Sequence, residues 1–276
     1  MEHYKEEFEV PDFGFSPDGN FPIYNREYGY MDVELCFEET MPEGIGNFEG
    51  GSANNSIPSH ASFGKDGETL EFVGRAAHSS APELGVNAIN LLCEKASELD
   101  LKFAKAINRY FPEGTYESNI PFRKNSGGFS GKGDLTIVPT VLRQEGNRIY
   151  VNFNIRQCSE IPCRNILAGL TAMETEGGWK TIVIESQEPI WVDENQPWLR
   201  RMKQITEKYG MSTECLLAPG CSYAKSMPDM VSWGPVFPWD DECAHMENEH
   251  QSVESFLLSR EHYREYLVLE GTAESE

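Results

Sequence analysis

Apolar and polar positions alternate most cleanly over residues 30–38, where Met31, Val33, Leu35 and Phe37 fall on one side and Asp32, Glu34 and Glu38 on the other. A period of two is the mark of a strand with one face on a core and the other in water. The pattern returns over residues 148–156, with Ile149, Val151, Phe153 and Ile155 on the core face and Asn152, Asn154 and Arg156 opposite them. Between these strands the period changes. Residues 69–73 read as a strand, broken by Gly74 and the Ala/Ser/Pro run behind it. From Val86 the apolar positions Val86, Ile89, Leu92, Cys93, Ala96 and Leu99 recur at three and four, which predicts an amphipathic helix. A second helix is predicted over 101–110. Further on, Pro197 suits a first helical turn, Trp198, Met202, Ile205 and Tyr209 make its apolar stripe, and Gly210 stops it. Residues 1–9 read as the tail of a helix. His78 is thereby placed on a turn between the 69–73 strand and the helix from Val86, held but not buried.

A chain of 276 residues can bury a large core and is long enough for two domains. Its 45 acidic and 23 basic residues give a formal charge of −22. Such a surface repels phosphate backbones and anionic lipid, so nucleic acid and membranes are excluded as expected partners. No apolar run approaches a membrane span, and the first residues lack the order of a secretory signal. The seven cysteines are odd in number and contain no Cys-x-x-Cys, the pattern of reduced thiols in a cytoplasmic protein.

Several short stretches combine turn residues with side chains able to do chemistry. Gly14-Phe15-Ser16-Pro17-Asp18-Gly19-Asn20-Phe21-Pro22 is dense in turn formers, with Asp18-Gly19 as its corner. Gly50-Gly51-Ser52-Ala53-Asn54-Asn55-Ser56-Ile57-Pro58 reads equally as a hairpin corner. Residues 125–133 suggest a phosphate loop but fail it, since Ser126 stands where the first glycine is needed and Gly133 where a Ser or Thr is needed. His245, Glu249 and His250 miss the inverted zinc motif His-x-x-Glu-His by one residue. On spacing alone, His78 is an ordinary surface histidine.

The wording of these stretches carries a resemblance. Gly74-Arg75-Ala76-Ala77-His78-Ser79-Ser80-Ala81-Pro82-Glu83-Leu84-Gly85-Val86-Asn87-Ala88-Ile89 resembles the lid-domain signature of the dinuclear-zinc dipeptidase, carboxypeptidase and aminoacylase family, and most closely its PepV-like branch. The Asp18, Asn55 and Asn154-Ile155-Arg156 stretches resemble further signatures of that family. So do Gly220-Cys221-Ser222-Tyr223-Ala224-Lys225 and His245-Met246-Glu247-Asn248-Glu249. The resemblance implies that His78 hydrogen-bonds the oxyanion of the scissile carbonyl. Arg156 would bind the substrate's C-terminal carboxylate, a task that suits a guanidinium fork. Asn55, Gly220 and Ser222 would line the substrate, and Asp18 and His245 would each be a terminal ligand of a different zinc. Gln157 replaces the Tyr that succeeds the family's Arg, and Glu247 the proline of its His-x-Pro-Asn-Glu segment.

No His-x-Asp occurs anywhere in this sequence, and neither Glu6-Glu7 nor Glu38-Glu39 stands in the family's Glu-Glu segment; in the family these two segments supply the remaining ligands, the bridging carboxylate and the general base. Met1-Glu2-His3-Tyr4-Lys5 resembles the segment just after the family's Glu-Glu pair, as though the chain began at an internal methionine. The expectation is an α/β lid domain, residues 27–189, inserted in an incomplete catalytic α/β domain made of residues 1–26 and 190–276. This would be the C-terminal part of a zinc-dependent dipeptidase, inactive alone, whose complete form holds two zinc ions and hydrolyses dipeptides. Its rivals are one subunit of a two-chain peptidase, partnered by a separate N-terminal polypeptide, and a non-catalytic peptide-binding or dimerisation module.

Overall fold

The computed structural model describes residues 2–218, 222–241, 243 and 248–273, arranged in two compact units. One comprises Met1–Tyr28 with Pro189–Glu276, the other Gly29–Glu188. The chain opens with helix α1 (Glu2–Glu7) and strands β1 (Gly14–Ser16), β2 (Gly19–Asn20) and β3 (Ile23–Glu27). The second unit then runs β4 (Gly29–Glu38), β5 (Ile45–Gly50), β6 (Ser56–Ile57), β7 (His60–Lys65), β8 (Glu68–Val73) and β9 (Ala77–His78). It continues with α2 (Ala88–Ala96), α3 (Lys102–Tyr110), β10 (Leu135–Glu145), β11 (Arg148–Gln157), α4 (Cys163–Ala172), α5 (Glu174–Gly177) and β12 (Trp179–Gln187). The first unit resumes with β13 (Ile190–Trp191), α6 (Pro197–Lys208), β14 (Cys215–Ala218), β15 (Met230–Trp233), β16 (Pro235–Val236) and α7 (Val253–Ala273).

The second unit is a mixed α/β layer. Its seven-stranded sheet has the order β12-β4-β11-β10-β5-β7-β8. Met31, Val33, Leu35 and Phe37 of β4 and Ile149, Val151, Phe153 and Ile155 of β11 all lie on one face. There they pack with Ile89, Leu92, Phe103 and Ile107 of the helices, all within 2% of full burial. Helix α2 begins two residues later than the periodicity suggests. Val86 pairs with Arg75 in an isolated bridge, and the Asn87 side chain caps the helix by accepting from the Ile89 N–H at 3.0 Å.

The opposite face of the sheet is not the solvated surface that alternation predicts. Asp32, Asn152 and Asn154 are only 2%, 5% and 0% exposed. The segments around β6 and β9 cross this face as a strap, tied down by polar contacts. Asn54 Nδ2 donates to the Asp32 carboxylate, and the Ser79 hydroxyl donates to Asn154 Oδ1. A bulge at Thr140 helps seat it: the Thr140 hydroxyl donates to Asn152 Oδ1 at 2.7 Å, and the Thr140 carbonyl lies where a Cβ on Gly51 would come within 1.9 Å. Gly51 also has φ +68°, so this position requires glycine twice over.

In the first unit, β1-β15-β3-β13 form a sheet to which β14 adds by pairing with β3. Pro197 occupies the first turn of α6, and its stripe of Trp198, Met202 and Ile205 is buried with Ile23, Val231 and Trp233. Gly210, at φ +78°, lies just past the helix end.

Candidate functional site

The residues that the sequence singles out in the second unit come together on the strapped face of the sheet. His78 does not sit on a free turn. It belongs to the two-residue strand β9, paired antiparallel with β6 so that His78 stands opposite Ser56. That pairing, with the Ser79 N–H donating to the Asn55 carbonyl at 2.9 Å, places the Asn55 and His78 segments side by side. Both side chains are exposed.

The His78 ring is oriented by its own loop. The Ser80 N–H donates to Nδ1 at 3.2 Å, and the Ser80 hydroxyl lies 2.7 Å from the same nitrogen. A ring that accepts at Nδ1 carries its proton on Nε2 when neutral. Partial loss of hydration in the strap, and then the Arg156 guanidinium nearby, hold the imidazole below its usual pKa. The local chemistry therefore favours a neutral ring whose Nε2–H is a hydrogen-bond donor.

Arg156, the penultimate residue of β11, stands opposite Tyr30 of β4, with its guanidinium carbon 4.8 Å from the Tyr30 ring centroid. Its Nε donates to Asn154 Oδ1 at 3.2 Å, the oxygen that also accepts from Ser79 at 2.9 Å. Asn154 is opposite Asp32 in the β4–β11 register. Thus Asn55, His78 and Arg156 are linked through a polar cluster of the exposed Asn54 with the buried Asp32, Ser79 and Asn154. Sequence reading singled out none of these four for chemistry. The available signal was the pair of asparagines in mid-strand, a residue type depleted there unless it has a side-chain task.

The remaining assigned residues belong to the first unit. Ser222 is described, and its hydroxyl is engaged within that unit. It donates to the buried Glu27 carboxylate, which also accepts from the Ser222 N–H at 3.0 Å, and it caps the next turn by accepting from the Ala224 N–H at 3.1 Å. Asp18 is exposed, in the bend between β1 and β2. Gly220 and His245 lie outside the described residues. Among the described residues no three His, Cys, Asp or Glu side chains converge as a metal-binding group. A zinc held only by Asp18 would lack the three or four protein ligands such sites use, so the described donor set does not fit the metal.

The described cysteines at 36, 93, 158, 163, 215 and 243 are free thiols. Among the described residues no helix is long and apolar enough to cross a membrane.

The chain is similar to known proteins. Residues 61–159 match the peptidase dimerisation domain of the M20 family. The putative dipeptidase YtjP of Bacillus subtilis (strain 168) is 25% identical over 300 aligned positions, covering 94% of this chain and 64% of the relative. A putative dipeptidase of Staphylococcus haemolyticus (strain JCSC1435) is 24% identical, covering 90% of this chain and 62% of its own. The chain thus spans a little under two thirds of the length of these curated relatives. Among solved structures, aminoacylhistidine dipeptidase from Vibrio alginolyticus shares the fold over 93% of this chain and 64% of its own, with a TM-score of 0.54 at 14% identity. Within a mixed α/β fold, residues 61–159 thus match an M20-type peptidase dimerisation domain, and the chain is similar along most of its length to putative dipeptidases.

Proposed function

We propose that this chain supplies the substrate-binding lid, and the C-terminal part of the catalytic domain, of a dipeptide hydrolase. The observation that carries the reading is the link between the His78 loop and Arg156 through Asn154: its buried amide oxygen accepts from both Ser79 and Arg156 Nε, while the Ser80 N–H orients the His78 ring. A dipeptide presents a carbonyl that develops negative charge during hydrolysis and, one residue away, a permanent carboxylate. His78 Nε2–H stabilises the first, where a positioned donor is worth most because it is already oriented. Arg156 takes the second. Its Nε bond to Asn154 fixes the plane of the fork that receives the carboxylate. Asn55, on the strand-paired neighbour of the His78 loop, orients the peptide beside them.

Asp18 and His245 are assigned as terminal ligands of two different zinc ions. The described residues do not complete either site, and no step is derived through the metal. In this reading the family's His-x-Asp and Glu-Glu segments must be present for turnover, whether on the same polypeptide or on a separate one. The match to a dimerisation domain favours a second reading, in which the lid binds peptide or a second copy without catalysis.

Complementation separates the two. The 276-residue chain is mixed with a polypeptide carrying His-x-Asp and Glu-Glu, or fused behind it, and assayed with dipeptides with and without a chelator. Metal-dependent dipeptide hydrolysis absent from either part alone supports the proposal. Its absence from a folded, stably associated complex sinks it.

A further inference from the structure

Asn154 is completely buried, yet it lies in mid-strand among groups that the proposed reading uses only indirectly. Its Oδ1 has two lone pairs and both are filled, by the Ser79 hydroxyl at 2.9 Å and by Arg156 Nε at 3.2 Å. Each donor belongs to a different arm of the site. Ser79 is the residue next to His78, and its own N–H is bonded to the Asn55 carbonyl. Arg156 is the guanidinium arm itself. On the other side of Asn154, across the β4–β11 register, stands Asp32, whose carboxylate accepts from Asn54, the residue before Asn55. Asn154 Nδ2 and Asp32 Oδ1 are both buried without a hydrogen-bond partner among the described residues. Leaving a buried amide donor and a buried carboxylate oxygen unpaired costs on the order of 1–3 kcal/mol each, so this pair is a poor choice if stability alone is served.

We infer that Asn154, seated against Asp32, is a positioning residue that holds the His78 loop, the Asn55 loop and Arg156 in one mutual geometry. This deepens the reading of His78 and Arg156 as substrate groups and rests on it. Packing alone would be satisfied by an apolar side chain of the same branching and heavy-atom count, such as the bulkier leucine. The two-donor acceptor would not. Replacing Asn154 with leucine therefore releases both arms together, whereas Ser79→Ala releases the His78 loop and leaves Arg156 anchored. In a complemented enzyme the first variant raises KM and lowers kcat together, and the second lowers kcat with KM unchanged.

The coupling itself is read in the full 276-residue chain, with no need for turnover. Hydrogen exchange of the Ser79 amide and of Arg156 Nε–H is monitored by NMR in wild type, Asn154→Leu, Ser79→Ala, the double variant Ser79→Ala/Asn154→Leu, and the swap Asp32→Asn/Asn154→Asp. Asn154→Leu should speed both exchanges at least tenfold while amides of α2 and α3 are unchanged. Ser79→Ala should speed only the first. In Ser79→Ala/Asn154→Leu the residue-79 amide should exchange no faster than in Asn154→Leu alone, because one path has been cut twice. The swap keeps an acceptor oxygen at 154 and one carboxylate on this face, so it should restore both protections. Unchanged exchange at Ser79 and Arg156 in Asn154→Leu, or additive effects in the Ser79/Asn154 double variant, overturns the inference. Should Asn154→Leu not fold, the swap decides: wild-type protection upholds the positioning role, and lost protection in a folded swap rejects it. A chain that passes these tests yet yields no peptidase on complementation would refute the catalytic reading and leave the coupling standing.

Discussion

Ser79 donates its hydroxyl hydrogen to Asn154 Oδ1 across 2.9 Å and 75 positions of sequence, and both side chains are completely buried. This bond ties the strap to the sheet beneath it, and with it the His78 loop to the strand that carries Arg156. The proposed functional groups of this unit are thus fixed by long-range polar contacts on a face that an isolated strand would present to water.

The strap depends on glycine at 51. Gly51→Ala should lower the stability of the lid by about 2 kcal/mol or more, because a left-handed backbone and a 1.9 Å approach to the Thr140 carbonyl are both penalised. Gly67→Ala is the control. Its φ is +87° but nothing lies within 4 Å of the added Cβ, so only about 1 kcal/mol of backbone strain is expected. Denaturant melts of the two variants, compared side by side, check the difference.

His262, in the other unit, should make stability fall in mild acid. Its Nδ1 donates to the Leu258 carbonyl at 2.9 Å, and its Nε2 is buried without a hydrogen-bond partner among Phe21, Tyr209, Trp233 and Phe237. Burial holds its pKa below the ordinary 6.5, against smaller opposing effects of the Leu258 carbonyl and Glu265. The unfolded chain therefore binds the proton more readily than the folded one. The stabilisation is complete above about pH 6.5 and is lost as pH falls toward the lower folded value. Melting temperature against pH should show this slope in wild type, and His262→Phe should flatten it below about pH 6.5.

How far the sequence leads depends on the range of the interaction. Alternation at 30–38 and 148–156 leads directly to β4 and β11, because each core-facing position reports its own burial. The helix stripe from Trp198 is equally local. The burial of Asp32 and Asn154 is not legible, since it comes from a strap whose ends are far away in sequence. The placement of His78 opposite Ser56 is lost for a similar reason: a two-residue pairing leaves no period to read. Asn154 and Arg156 could be seen to share a face, but not that one acceptor oxygen serves both Ser79 and Arg156.

Metal retention checks the ligand assignments. After dialysis the isolated chain should hold far less than one zinc per molecule by elemental analysis, since the described residues contain no three-donor cluster. In a complemented, two-metal assembly, Asp18→Ala and His245→Ala should each lose one ion. Two ions retained in both variants, at full rate, would show that neither is a ligand.

Arg156→Lys keeps the charge but loses the planar fork and the Nε bond to Asn154. It should mainly raise KM for dipeptides, by roughly tenfold or more, with a smaller effect on substrates whose C-terminus is amidated, where there is no carboxylate to hold. Equal effects on free and amidated substrates would remove Arg156 from carboxylate binding.

The most direct measurement is kcat together with melting temperature for His78→Ala in the complemented enzyme. His78 is an exposed residue whose ring is held by Ser80, and its Nε2–H is the proposed oxyanion donor. Turnover should fall by about a hundredfold or more, the scale of one lost oxyanion donor, with the melting temperature unchanged. A variant that melts earlier but turns over at the wild-type rate would make His78 a packing residue and contradict the oxyanion role.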